Sequence, residues 1–174
     1  MMKLFKNQNP DRPVLTIETK PTDVVLEIAG YIALAALWLY VYVSYQSLPD
    51  IVPIHFGAGG KPDGYGSKET TFLSPVIATV LFVFIAFMQR KPHWFNYPTE
   101  ITQDNALKQY TNAVRMMRTL KMCLCVMFIA IEYSTTSAAV SSDGVADTKW
   151  MFIVIIFLVQ IPLFWFIIQS SKNA

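Results

Sequence analysis

Four long apolar runs, separated by polar segments, set the organisation of the chain. The first, residues 24–45, reads VVLEIAGYIALAALWLYVYVSY. At about 1.5 Å per helical residue it covers a hydrocarbon core of roughly 30 Å. The second, 70–89, is stopped by Arg90 and Lys91, and the third and fourth, 122–139 and 150–168, are joined by a short polar turn. The first run is too long for a cleaved leader and is followed by SYQSLPD rather than a small-residue cleavage site, so it reads as a span. The pattern predicts an all-α integral membrane fold, one domain over 1–174. It has four transmembrane helices, an amphipathic cytoplasmic helix and a structured outer loop at 46–69.

The connector 90–121 has a different period. Leu107, Tyr110, Val114 and Met117 recur at helical spacing, while Lys108, Thr111, Arg115 and Arg118 fall on other faces, as in an amphipathic helix leading into the third span. Thr102 is the expected N-cap, with Asp104 in the first turn where the helix dipole favours an anion. Residues 104–121 suit either the inner leaflet, whose anionic lipids attract Lys and Arg, or a cytoplasmic protein partner.

The loop LPDIVPIHFGAGGKPDGYGSK is biased in the opposite sense. It holds Gly57, Gly59, Gly60, Gly64 and Gly66, five of the seven glycines of the chain, together with Pro49, Pro53 and Pro62. Pro62-Asp63-Gly64 is a turn signal, because proline presets φ and glycine closes the reversal. Val52, Ile54 and Phe56 alternate with Pro53 and His55, a short extended pattern that packs one side on the helix ends. Ser67 is the expected N-cap of the second span, with Glu69 in its first turn and Pro75 tolerated early in that helix. The chemistry of this lid falls on Asp50, His55 and Asp63, with Phe56, Lys61, Tyr65 and Lys68 completing a recognition surface. A closed zinc site needs four ligands, and three without a cysteine fall short, so no metal, cofactor or catalytic residue is expected. The plainer reading has His55 bonding the loop's own backbone and Asp63 shaping the turn.

Composition narrows the class. The chain of 174 residues is 53% hydrophobic and 15% charged, against about 25% charged in a soluble domain, and its mean hydropathy is positive. A net charge of +2, with no basic patch interleaved with aromatics, argues against nucleic acid. Cys123 and Cys125 lie two apart in an apolar helix, which points them to nearly opposite faces; both read as packing residues.

Charge also orients the spans, since loops rich in Lys and Arg stay cytoplasmic. With both termini inside, the inner segments hold Lys3, Lys6, Arg12, Lys20, Arg90, Lys91, Lys108, Arg115, Arg118, Lys121 and Lys172, and the outer loops only Lys61, Lys68 and Lys149. Trp94, Phe95, Tyr97 and Trp150 mark interfacial ends, whereas Trp38 and Trp165 lie deeper and read as packing residues.

The loop motif P-x-H-F followed by G-x-P-D-G-Y-G-S-K, carried by Pro53, His55, Phe56, Gly60, Pro62, Asp63, Gly64, Gly66, Ser67 and Lys68, resembles that of a bacterial membrane domain of unknown function. That domain forms the N-terminal part of SdpI-like immunity proteins. The resemblance covers mainly the first two spans and their loop, and implies a non-enzymatic protein of the bacterial inner membrane that confers tolerance to an extracellular peptide toxin. The connector also looks like that of short relatives of this domain.

Among the polar residues within the apolar runs, Glu132 and Gln160 stand out. Glu132, eleven residues past Lys121, comes out near the bilayer midplane, and Gln160, ten past Trp150, at a similar depth, so the two are expected to hydrogen-bond across a hairpin of helices. Pro162 frees a carbonyl nearby. Glu27, one turn inside the first span, reads as reaching headgroups or Lys20, without a special role. Besides lipid, the partners expected are an extracellular peptide at the loop and a protein at 104–121. Two further functions stay open: a proton- or cation-coupled carrier using Glu132 and Gln160, which needs a homo-oligomer to enclose a path, and a membrane-embedded metal-dependent enzyme acting through His55 and the aspartates. No H-E-x-x-H, G-x-S-x-G or phosphate-cradling loop is present.

Overall fold

A computed structural model describes residues 12–57, 61–141 and 149–172. Gly59 and Gly60 of the loop motif, Lys3 and Lys6, and the turn between the third and fourth runs lie outside the described residues. Helix α1 spans Pro21–Tyr45, strands β1 and β2 Ile51–Phe56 and Pro62–Ser67, α2 Leu73–Met88, α3 Ala106–Val140 and α4 Lys149–Lys172. A 3₁₀ turn, Lys68–Phe72, leads into α2 and another, Pro92–Trp94, follows it.

The start of α1 is fixed by Pro21 in the first helical position and by Asp23, whose Oδ2 accepts the Lys20 backbone N–H at 2.9 Å. Ser67 precedes the 3₁₀ turn without a side-chain cap bond, and α2 itself begins only at Leu73. Thr102 and Asn105 cap one another reciprocally: the Asn105 N–H donates to Thr102 Oγ1 at 3.3 Å and the Thr102 N–H to Asn105 Oδ1 at 2.9 Å. That box places the first turn of α3 after Asp104, so the carboxylate expected inside the helix lies before it.

Three helices are long and apolar enough to cross a membrane: Pro21–Tyr45, Lys68–Met88 and Ile153–Lys172. They mark the chain as a membrane protein. The stretch 122–139 is not among them; it is the second half of the 35-residue α3. α3 runs without a break from the amphipathic connector and packs against α1, α2, α4 and β1. The burial pattern is that of a protein solvated by lipid. Val25, Ile32 and Leu39 of α1, Val80 and Phe84 of α2, and Ile156 and Phe164 of α4 face outward. Asp23, Gln109, Lys121, Glu132, Ser134, Thr136 and Ser170 are turned inward. Polar side chains inside such a bundle bond to one another because the surrounding apolar medium offers nothing else. Tyr40 Oη and Thr136 Oγ1 lie 2.6 Å apart, and the Ser170 hydroxyl donates to Gln109 Oε1 at 2.6 Å. Cys123 and Cys125 are both buried, as free thiols. Trp38 and Trp165 instead keep much of their ring area outward, Trp38 donating its indole N–H to Thr79 Oγ1 at 3.0 Å.

The register of α4 against α3 corrects the expected Glu132–Gln160 pair. Gln109 bonds Ser170, Met116 packs with Phe166, and the ring of Tyr133 meets that of Trp150 at 6.1 Å between centroids. Trp150 therefore lies near the level of Glu132, and Gln160, ten residues on, falls toward the opposite end of the bundle with its side chain exposed. Pro162 follows it there, lining a cavity with Asp23 and Arg115 rather than sitting by Glu132. Glu132 accordingly sits eight residues before the end of α3, toward the hairpin rather than at mid-helix.

Candidate ligand site beneath the hairpin

β1 and β2 pair antiparallel, from Ile51 opposite Ser67 to Phe56 opposite Pro62, with irregular register around His55. Pro62-Asp63-Gly64 is thus the start of a strand and not a turn; the chain reverses before it, where the Gly57 N–H donates to the Lys61 carbonyl at 2.9 Å. Two glycines permit the pairing. A Cβ on Gly64 would lie 3.0 Å from His55 Cβ, and one on Gly66 3.1 Å from Ile54 Cγ2. Side chains of β1 occupy that space.

The hairpin joins His55 Nδ1 to the Asp63 carboxylate, both exposed. The imidazole therefore bonds the aspartate and not, as the plainer reading had it, the loop backbone. Asp50 is drawn away from that pair: its Oδ1 is 2.9 Å from Lys68 Nζ, while its carbonyl accepts the Lys68 N–H at 3.0 Å. Among the described residues no three His, Cys, Asp or Glu side chains converge as metal ligands would. Lys61 and Tyr65 are exposed and Phe56 is half-buried. The alternation expected of β1 does not hold: adjacent Val52 and Pro53 are both buried while Ile54 is exposed.

Beneath β1 lies a cavity of about 360 Å³. Pro53 and Ile54 form its roof, Thr70, Thr71, Leu73, Ser74 and Ile77 one wall, and Phe128, Ile131, Glu132 and Thr135 of α3 the other. The two threonine hydroxyls of the first wall are committed, Thr70 to the Ser67 carbonyl at 2.6 Å and Thr71 to the Lys68 carbonyl at 2.7 Å. Glu132 is not. It is 4% exposed, and its Oε2, like Ser74 Oγ, is buried without a hydrogen-bond partner. A buried acceptor left unsatisfied costs roughly 1–3 kcal/mol, more for a charged group, and an intramembrane carboxyl is a functional candidate on that ground.

At the opposite end a cluster of charges holds α1 to α3. Asp23, 1% exposed, takes Arg115 Nε at 2.7 Å and has Arg118 Nη1 at 3.5 Å. Glu27, one helical turn on, takes Arg118 Nε at 3.2 Å and Lys121 Nζ at 2.5 Å, and the Gln89 amide donates to it at 3.4 Å. Lys121 is fully buried, its ammonium 4.7 Å from the Phe82 ring centroid. This overturns the reading of Glu27 as a headgroup contact. A signal was present in the sequence: carboxylates four apart opening one span, and cations three apart, 115, 118 and 121, opening another. The same end carries a packed interface of Arg12, Tyr97 and Tyr110, in which Arg12 Nη1 donates to the Phe95 carbonyl at 2.7 Å.

Comparison with known proteins bears on the hairpin half. Residues 32–79, from the middle of α1 through the hairpin into α2, match the family model described as Domain of unknown function (DUF1648). The chain is also similar to an uncharacterized protein of Archaeoglobus fulgidus, 29% identical over 154 residues, which span 80% of this chain and 82% of that one. The similarity thus reaches an archaeon. No solved structure matches.

Proposed function

We propose that the chain is a non-enzymatic, four-span protein of the cytoplasmic membrane, both termini inside, which recognises an extracytoplasmic molecule through the hairpin and the cavity under it. The observation that carries this reading is Glu132, a buried carboxyl whose Oε2 has no hydrogen-bond partner, in the wall of a cavity roofed by β1. Evolution of a merely structural bundle would pair or remove such a group; a ligand site keeps it. Support for the orientation comes from charge: Arg12, Lys20, Arg90, Lys91 and Lys108 all belong to the end opposite the hairpin, as cytoplasmic ends require. The second half of α3 then crosses as the fourth span, its polar face enclosed by α1 and α2.

The resemblance of the loop motif to SdpI-like proteins suggests a peptide toxin as the recognised molecule. In a host lacking its own copy, the chain should raise survival in medium conditioned by a toxin-producing strain. His55→Ala, Asp63→Asn and Glu132→Gln should each lower that survival at unchanged protein level. Full protection by all three variants would sink the recognition reading.

A further inference from the structure

The cavity has the chemistry to select among ligands. Its one charged side chain is Glu132, accompanied by the hydroxyls of Thr70, Thr71, Ser74 and Thr135; Glu132 Oε2 and Ser74 Oγ are buried without a hydrogen-bond partner. Around them stand Leu73, Ile77, Phe128 and Ile131. Among the described residues no Lys or Arg lines it; the nearest basic residue in sequence, Lys68, is held by Asp50 and by the ring of Tyr45, 5.4 Å from its centroid. An anion would meet a carboxylate and no donor of charge. A bare divalent cation would find a single carboxylate and otherwise neutral hydroxyls, with no second acidic or His ligand converging among the described residues, a poor match to the carboxylate-rich sites that calcium and magnesium take.

A primary ammonium meets each condition. It offers three N–H donors, enough for Glu132 and Ser74 together, and its charge offsets a carboxylate that the apolar wall disfavours. An aliphatic segment attached to it would lie against Ile77, Phe128 and Ile131. Resting on the recognition reading above, we propose that the cavity binds a primary alkylammonium group, with Glu132 as counter-ion and the apolar wall taking the adjoining chain. A lysine side chain or free N-terminus of an apolar peptide and a free alkylamine share this chemistry.

The test uses the full chain in phosphatidylcholine nanodiscs, with octylammonium, octyltrimethylammonium and 1-octanol as probes of equal chain length. Octylammonium should raise the melting temperature of the wild type in a saturable manner. The quaternary ion, which lacks N–H donors, and the alcohol, which lacks charge, should give a small shift or none. Glu132→Gln should abolish the shift, and Glu132→Asp, checked to melt normally without probe, should retain a weaker one. Equal shifts for all three probes, or an undiminished shift in Glu132→Gln, would overturn the ammonium assignment while leaving a ligand site. No shift with any probe would also overturn it, and the survival experiment would then decide separately whether the hairpin recognises anything. Protection of the wild type by a lysine-bearing apolar peptide, against its acetyl-lysine form, separates a peptide source from a free amine.

Discussion

The ammonium of Lys121 on α3 donates to Glu27 Oε1 on α1 at 2.5 Å, and no part of the Lys121 side chain reaches solvent. Removing the acid strands the base. Breaking a buried pair from one side costs about 3–5 kcal/mol, so Glu27→Ala should sharply lower the melting temperature of the purified protein. Lys121→Met should cost less, because Arg118 and Gln89 still satisfy Glu27, and the double variant should recover part of the loss. Melting curves of the four proteins form the cycle that measures the coupling.

A β-branched side chain at Gly64 or Gly66 should crowd the opposite strand. Their ideal Cβ positions fall 3.0 and 3.1 Å from atoms of β1, and overpacking of this kind costs about 1–3 kcal/mol. Gly64→Val and Gly66→Val should loosen the hairpin and increase tryptic cleavage after Lys68, whereas Lys61→Ser, on an exposed side chain before Pro62, where trypsin does not cut, should leave the cleavage pattern unchanged.

Alkaline pH should act at the other end. Burial pushes the phenol of Tyr97 well above its ordinary range, with Tyr110 adding to the effect and Arg12 opposing it; burial raises Tyr110 as well. Unfolded tyrosine ionises near pH 10. Above that pH the unfolded chain loses these protons while the folded one keeps them, so the stability they contribute is complete below about pH 10 and falls as pH rises beyond it. Tyr97→Phe should flatten the decline in melting temperature at high pH, although it gives up the bond from the Tyr97 hydroxyl to the Pro92 carbonyl at 3.0 Å.

The orientation is open to labelling. Cys123 and Cys125 are buried, so a membrane-impermeant maleimide on intact cells should react with Tyr65→Cys and not with Thr16→Cys; the reverse pattern would invert the topology.

Much of this architecture is legible from periodicity. Apolar runs predict helices because their length and composition are local properties, and the loop bias predicts a shaped element between the first two. What local patterns could not fix is which residues meet. The partners of Glu27 depend on how α3 lies beside α1. The level of Gln160 depends on the α4 register that Gln109–Ser170 and Tyr133–Trp150 set. Pro62-Asp63-Gly64 carries turn chemistry yet extends, because pairing with β1 and the His55–Asp63 contact outweigh a three-residue preference. Glu132 was visible as a candidate; its cavity was not, since the roof comes from β1 and one wall from α2, nearly sixty residues away in the chain.

The most direct measurement of the claim that Glu132 lines an accessible site with no cationic partner is its reaction with a hydrophobic carbodiimide in native membranes, read by peptide mass spectrometry. A carboxyl that lines a cavity without a cationic partner should form the adduct, whereas Asp23 and Glu27, held by guanidinium and ammonium groups, should resist. Modification is expected at Glu132, with loss of the adduct in Glu132→Gln and its suppression by octylammonium. An unmodified Glu132 beside a modified Glu27 would contradict that claim.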